Sequence, residues 1–244
     1  MNNNLKNNNN LNPWFVTGFV DQKSLEIWAT NLTPTVGVKS SITQLAMVQL
    51  APYTRDVIVG LLLSDGWLSS DRKNARLGFK QCLARYQYVF FVFNILSHYC
   101  RSSLRLIGGI RSGNRFYGLQ FCTRAMPCLT ELHPLLGYAD GVEIVPQNIY
   151  ELLTPVALAH IIMGDGSVQR HGLIICTNSY SIENVVRLVN VLIIRYRLEC
   201  KIREFRANKK LEYTIYIREG SMPLLWTIVK PYMHPSMWYK LREF

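Results

Sequence analysis

The sequence predicts an α+β protein built from two similar halves, each mixing helices with antiparallel strands. Three observations carry that expectation. Two short apolar segments, Ile58–Gly66 and Leu158–Gly166, lie one hundred positions apart, and each closes on Asp-Gly. The segments following each one repeat in the same order, which points to a duplicated unit. Several of them alternate apolar and polar residues, the period of a strand with one buried face.

The elements read as follows along the chain. Residues 1–12 are low-complexity and Asn-rich and are expected to be disordered. Ala29 to Ser41 reads as a linker. The first half opens near Ala51, with Thr54 as the expected cap of a helix that ends at Asp65. A strand over Ala75–Gln81, a helix over Tyr86–Cys100 and a hairpin of Leu104–Ile107 with Phe116–Phe121 follow. A helix over Pro127–Leu136 closes the half. The second half repeats this: motif helix to Gly166, strand Leu173–Thr177, helix Ile182–Arg195. Its hairpin pairs Cys200–Phe205 with Glu212–Arg218, and a last helix spans Ser221–Tyr232. The expected division is 1–50 as an N-terminal extension, 51–152 as the first half and 153–244 as the second.

Composition narrows the partners. An apolar fraction of 49% with five tryptophans fits a globular chain, and a net charge of +11 with a pI near 9.5 calls for a polyanionic partner. The six cysteines and five histidines lack zinc-finger spacing, so free thiols in a reducing compartment are expected. No apolar run reaches the ~18 residues of a membrane span, so no membrane partner is expected. The Asn-rich start also lacks the apolar core of a secretory signal.

The chemistry rests on the two acids. Asp65 and Asp165 each end a buried apolar segment where the chain turns, and two related halves would bring them together as metal ligands. Gly60 and Ala159 are small enough to let the two helices approach. His160 stands at the second-half place of Gly60, where packing or a hydrogen bond is the expected role.

These segments resemble the LAGLIDADG homing endonucleases. So do Ile144-Val145-Pro146, the run Tyr150-Glu151-Leu152-Leu153-Thr154-Pro155, and the tail Val229–Leu241. Leu11–Asp21 looks like a remnant of another subgroup's opening. The resemblance covers Ala51 to the C-terminus and implies one more strand per half, after each motif. That makes two pseudo-symmetric αββαββα units packed through the motif helices, their sheets forming a DNA-binding saddle.

It also implies a monomeric, Mg²⁺-dependent enzyme that cuts a specific double-stranded DNA site. Mg²⁺ takes oxygen ligands and keeps several waters, which suits two carboxylates beside phosphate. Gln81 and Thr177 match polar positions that organise water in the family, and Lys240 matches a lysine beside the scissile region. Glu143 stands where the other lysine is expected, a charge reversal, so asymmetric, slow or absent cleavage of one strand is expected, with Lys23 or Lys80 as candidate substitutes. The outward strand faces would contact DNA through Arg72, Lys73, Arg76, Lys80, Arg111, Arg115, Tyr117, Gln120 and Arg124. Arg170, Lys201, Arg203, Arg206, Lys209, Lys210, Tyr216 and Arg218 would do so in the second half. The competing readings are an RNA-binding maturase acting on its host intron and a catalytically silent nucleic-acid-binding protein. The resemblance places the chain in a mitochondrion.

Overall fold

The computed structural model describes residues 36–70, 73–111, 114–136, 138–139, 142–207 and 210–241. The Asn-rich run, the Leu11–Asp21 stretch and Lys23 lie outside them. The described chain begins as an arm laid on the first half. Gly37 N donates to Arg101 O at 2.7 Å, and Ser41 with Gln44 forms a capping box at the head of α1 (Ile42–Ala46).

The first motif lies on α2 (Pro52–Leu62). Pro52 presets the first turn and has no N–H to satisfy, so no side-chain cap is used. Thr54, the expected cap, is instead buried inside the helix. Then come β1 (Gly66–Ser70), β2 (Ala75–Cys82), α3 (Tyr86–Leu96), β3 (Arg105–Arg111) and β4 (Asn114–Cys122). The four strands form one antiparallel sheet in the order β1-β2-β4-β3. Alternation sets its faces, with Leu77, Phe79 and Phe121 buried under the helices while Lys80 is exposed on the other side.

The helix expected over Pro127–Leu136 is broken in two, α4 (Pro127–Thr130) and α5 (His133–Leu136). Pro134 is the cause, since inside one continuous helix it would forfeit a hydrogen bond and press on the preceding turn. It is accommodated in the first turn of α5. A two-residue pairing of β5 (Tyr138–Ala139) with β6 (Val142–Glu143) leads towards the second half.

After α6 (Ile149–Leu152), the second motif forms α7 (Pro155–Asp165), capped by Thr154 Oγ1, which accepts from Ala157 N at 3.3 Å. Next are β7 (Gly166–Gln169), β8 (Gly172–Cys176), α8 (Ile182–Ile194), β9 (Cys200–Ala207), β10 (Lys210–Arg218) and α9 (Met222–Val229). The sheet order β7-β8-β10-β9 reproduces that of the first half, with β1 and β7 as the additional strands. On α8, Val185, Leu188, Val189 and Leu192 are buried at helical spacing. The segment before α7 is tied to this half. Val145 N donates to Asn184 Oδ1 at 3.2 Å, Arg187 Nη1 to Val145 O at 3.0 Å, and Arg195 Nη1 to Tyr150 O. Residues Val145 and Tyr150 are thereby bonded to α8 and the residue that follows it.

One apolar core runs through both halves, with α2 and α7 at its centre. These helices touch at two levels. A Cβ on Gly60 would come within 2.5 Å of Ala157 O and 2.6 Å of His160 Cβ, and one on Gly164 within 2.8 Å of Ser64 Cβ. Residues 60 and 160 are equivalent, as are 64 and 164. Each pair thus meets across the axis relating the halves, with glycine on one side only.

Candidate active site and nucleic-acid interface

Asp165 is the last residue of α7, and Asp65 follows α2 by one turn, so both stand where a sheet leaves the helix pair. Their side chains line a single cavity of about 440 Å³ with Arg85, Cys176, Tyr239 and Lys240. Asp65 Oδ2 lies only 2.9 Å from where a Cβ on Gly164 would be, so the missing side chain is what admits the carboxylate. Gln81 Nε2 donates to that same oxygen. Arg85 Nη1 donates to Gln81 Oε1 at 3.2 Å and to Gly164 O at 3.5 Å, and Lys240 Nζ donates to Gly164 O at 2.7 Å. Two cations and an amide therefore converge beside the carboxylates.

Their electrostatics are coupled. Burial raises the Asp65 pKa, opposed by the Gln81 hydrogen bond and by the charges of Arg85 and Lys240. Lys240 is pushed down to about 8, first by burial and then by Arg85, while Asp65, Asp165 and Cys176 hold it up. Beneath the pair, Tyr88 Oη and His160 Nδ1 are 3.1 Å apart, both fully buried, with His160 stacked on Phe91. Burial holds the His160 imidazole down at about 3, so it is a neutral packing and hydrogen-bonding group.

Thr177 is placed differently from Gln81. The pairings Gly66↔Phe79 and Gly166↔Ile175 make the two residues equivalent in register. Yet Thr177 Oγ1 donates to Tyr213 O at 2.8 Å, and its neighbour Cys176 lines the cavity instead. Arg85 was missed by sequence reading. The available signal was its place four residues after Gln81, just ahead of a helix, where a long side chain can fold back on the strand end.

Asp65 and Asp165 are the two carboxylates lining this cavity, the hard oxygen donors that suit a divalent cation. Among the described residues no cluster of three or more His, Cys, Asp or Glu side chains offers an alternative metal site.

The expected nucleic-acid residues divide by strand register. Arg76, Lys80 and Gln120 share the outer face of the first sheet, joined by Arg105 opposite Gln120. Arg115 and Tyr117 fall on the other face, the one Phe121 turns into the core. They are exposed all the same, at the far end of the hairpin. Arg124 is buried, and its guanidinium donates to Cys100 O at 2.7 Å and Val38 O at 2.6 Å, so it braces the arm. In the second sheet Lys201, Arg203, Tyr216 and Arg218 share the outer face, while Arg206 pairs with Leu211 on the inner one. Arg203 covers the Tyr216 ring at 3.5 Å, and Arg218 pairs with Glu199 at 3.1 Å. Lys73 and Arg170 are exposed in turns. Arg72 and Lys209 lie outside the described residues, as do the side chains of Arg111, Lys210 and Glu143.

With this geometry established, residues 55–225 match the LAGLIDADG DNA endonuclease family. The chain belongs to that family. Among LAGLIDADG relatives, cytochrome b mRNA maturase bI2 of Saccharomyces cerevisiae is 30% identical over 200 residues, covering 77% of this chain and 47% of the yeast protein. The chain thus spans about half the length of that relative. DNA endonuclease I-ChuI of Chlamydomonas applanata is 24% identical over 212 residues, 80% of this chain and 97% of that protein. The LAGLIDADG fold is shared with the homing endonuclease I-WcaI, solved bound to its DNA recognition sequence. The TM-score is 0.77 at 22% identity, over 88% of this chain and 99% of the other. No helix among the described residues is long and apolar enough to cross a membrane.

Proposed function

We propose that this chain is a site-specific double-stranded DNA endonuclease, acting as a monomer with Mg²⁺ held by Asp65 and Asp165. The observation that carries this reading is the meeting of both motif carboxylates in one cavity, flanked by Lys240 and Arg85. Two carboxylates leave most coordination positions to water and phosphate oxygens, which is how Mg²⁺ binds at phosphoryl sites. When bound, the cation supplies Lewis-acid stabilisation of charge developing on the phosphate. The protein's own groups do the rest. Gln81 fixes the orientation of Asp65, and Arg85 and Lys240 place positive charge where phosphate charge grows. The outer faces of the two sheets lie against the duplex, their Arg, Lys and Gln side chains reading base edges and positioning phosphates. Having both halves in one chain supports recognition of a long, asymmetric site without a partner subunit.

A second reading, a maturase that binds its host intron RNA, is favoured by the likeness to the yeast maturase. An organellar, mitochondrial setting draws on the same relative, described by its cytochrome b messenger.

The test uses the exon junction that lacks the intron. Purified protein is expected to cut it with Mg²⁺ and not with chelator, and Asp65→Asn or Asp165→Asn should lower the rate by about 10³-fold or more while binding persists. Cutting that survives both substitutions would exclude this site. Binding to structured intron RNA with no DNA cleavage would favour the maturase.

A further inference from the structure

A second concavity, of about 1000 Å³, shares no lining residue with the active-site cavity. One wall is the outer face of the first sheet, where Arg76, Arg105 and Gln120 stand. The other wall is outside the sheet. It is made by Lys39 of the N-terminal arm and by Arg101, with Lys73 at the end. Among the described residues, six Lys and Arg line the groove, counting Arg124 at its base, and no Asp or Glu does. Ser40, Ser102 and Asn74 add neutral donors. Cations gathered from separate parts of the chain along one groove make a surface complementary to an extended polyanion.

The arm is held in place by hydrogen bonds. The Arg124 guanidinium grips Val38 O and Cys100 O, and Gly37 N is bonded to Arg101 O. These bonds hold the segments carrying Lys39 and Arg101 side by side, so both cations stand on the wall outside the sheet.

We infer that this groove is a clamp for the sugar–phosphate backbone of the DNA flanking the recognition site on the first half's side. The groove opens onto Arg76, Arg105 and Gln120, which are already part of the strand face assigned to the duplex. A duplex lying on that face therefore continues into the groove at its end. This inference rests on the endonuclease reading and extends its footprint, adding affinity without adding base recognition. The second half has no arm of this kind among the described residues, so the effect is one-sided.

The experiment measures binding of the whole protein to duplexes carrying the exon junction, with full flanks or with one flank shortened, across a range of salt concentrations. Wild type should lose about tenfold in affinity when one flank is shortened and almost nothing when the other is. Lys39→Gln combined with Arg101→Gln should bind the full duplex as weakly as wild type binds the shortened one, and should ignore that truncation. Its slope of log K against log salt should fall by about two, one per cation removed. Both residues are exposed, so the unfolding midpoint of the variant should match wild type. Wild-type affinity and slope in the double variant, or equal losses at both flanks, would overturn the clamp. So would a variant that weakens only on structured intron RNA, which would assign the groove to RNA. Site-specific cleavage with no flank dependence removes the clamp alone, whereas no preference for any DNA site removes the endonuclease reading as well.

Discussion

The two halves share sheet order, helix placement and motif spacing, but they equip the cavity differently. In the first half, Gln81 and Arg85 turn inward, one bonded to Asp65 and the other reaching Gly164 O. In the second, the equivalent residues serve their own backbone. Thr177 is bonded to Tyr213 O, and Ser181 accepts from Asn184 N at the start of α8. Lys240 joins the Arg85 side by donating to the same carbonyl. A fold can therefore be duplicated faithfully while its chemistry drifts. Backbone architecture depends on many apolar positions, whereas a site depends on a handful of polar ones.

That contrast can be broken most sharply at Arg85. With a supercoiled plasmid carrying the junction, Arg85→Gln should slow the first nick by about 10²-fold. Thr177→Val should change either strand's rate by less than about threefold and lower stability by about 1 kcal/mol, because its hydroxyl serves the fold. Equal rate losses in both variants would make the halves chemically equivalent.

The helix pair sharpens the comparison next. Gly60→Ala drives a methyl into the Ala157 backbone and should cost about 1–3 kcal/mol of stability. Gly164→Ala meets the Ser64 side chain and the Asp65 carboxylate, so it should spare stability more and cleavage less. Denaturant midpoints and cleavage rates on the same samples separate the two. If both variants unfold alike, the two contact levels are interchangeable.

The last comparison concerns His160, the buried counterpart of Gly60. Its pKa falls from 6.5 to about 3 in the folded protein. The unfolded chain takes up a proton that the fold refuses, so this contribution to stability is whole above pH 6.5 and is lost as pH falls towards 3. Urea midpoints measured from pH 7 to pH 4 should therefore drop less steeply in His160→Gln than in wild type. Parallel slopes would show that another group governs the acid limb.

Much of this was legible in the sequence because apolar spacing is written there directly. The motif helices, the hairpins and the repeated order follow from alternation and from the Asp-Gly stops, as does the pairing of Asp65 with Asp165. Other features depend on three-dimensional proximity. Arg124 reads as one more surface cation until its two carbonyl partners are known. Arg115, Tyr117 and Arg206 lie where the hairpins run past the core and apolar alternation no longer marks which face is which. Residues 36–50 read partly as linker, since the contacts that hold them are backbone bonds to distant residues.

The alternating glycines at the helix pair have one more consequence. Two copies of the first half brought together would leave an empty gap at Gly60 and set Ser64 against Ser64. Two copies of the second would set the Cβ atoms of the two His160 residues against each other. Each half is thus shaped at the seam to fit the other and not a copy of itself.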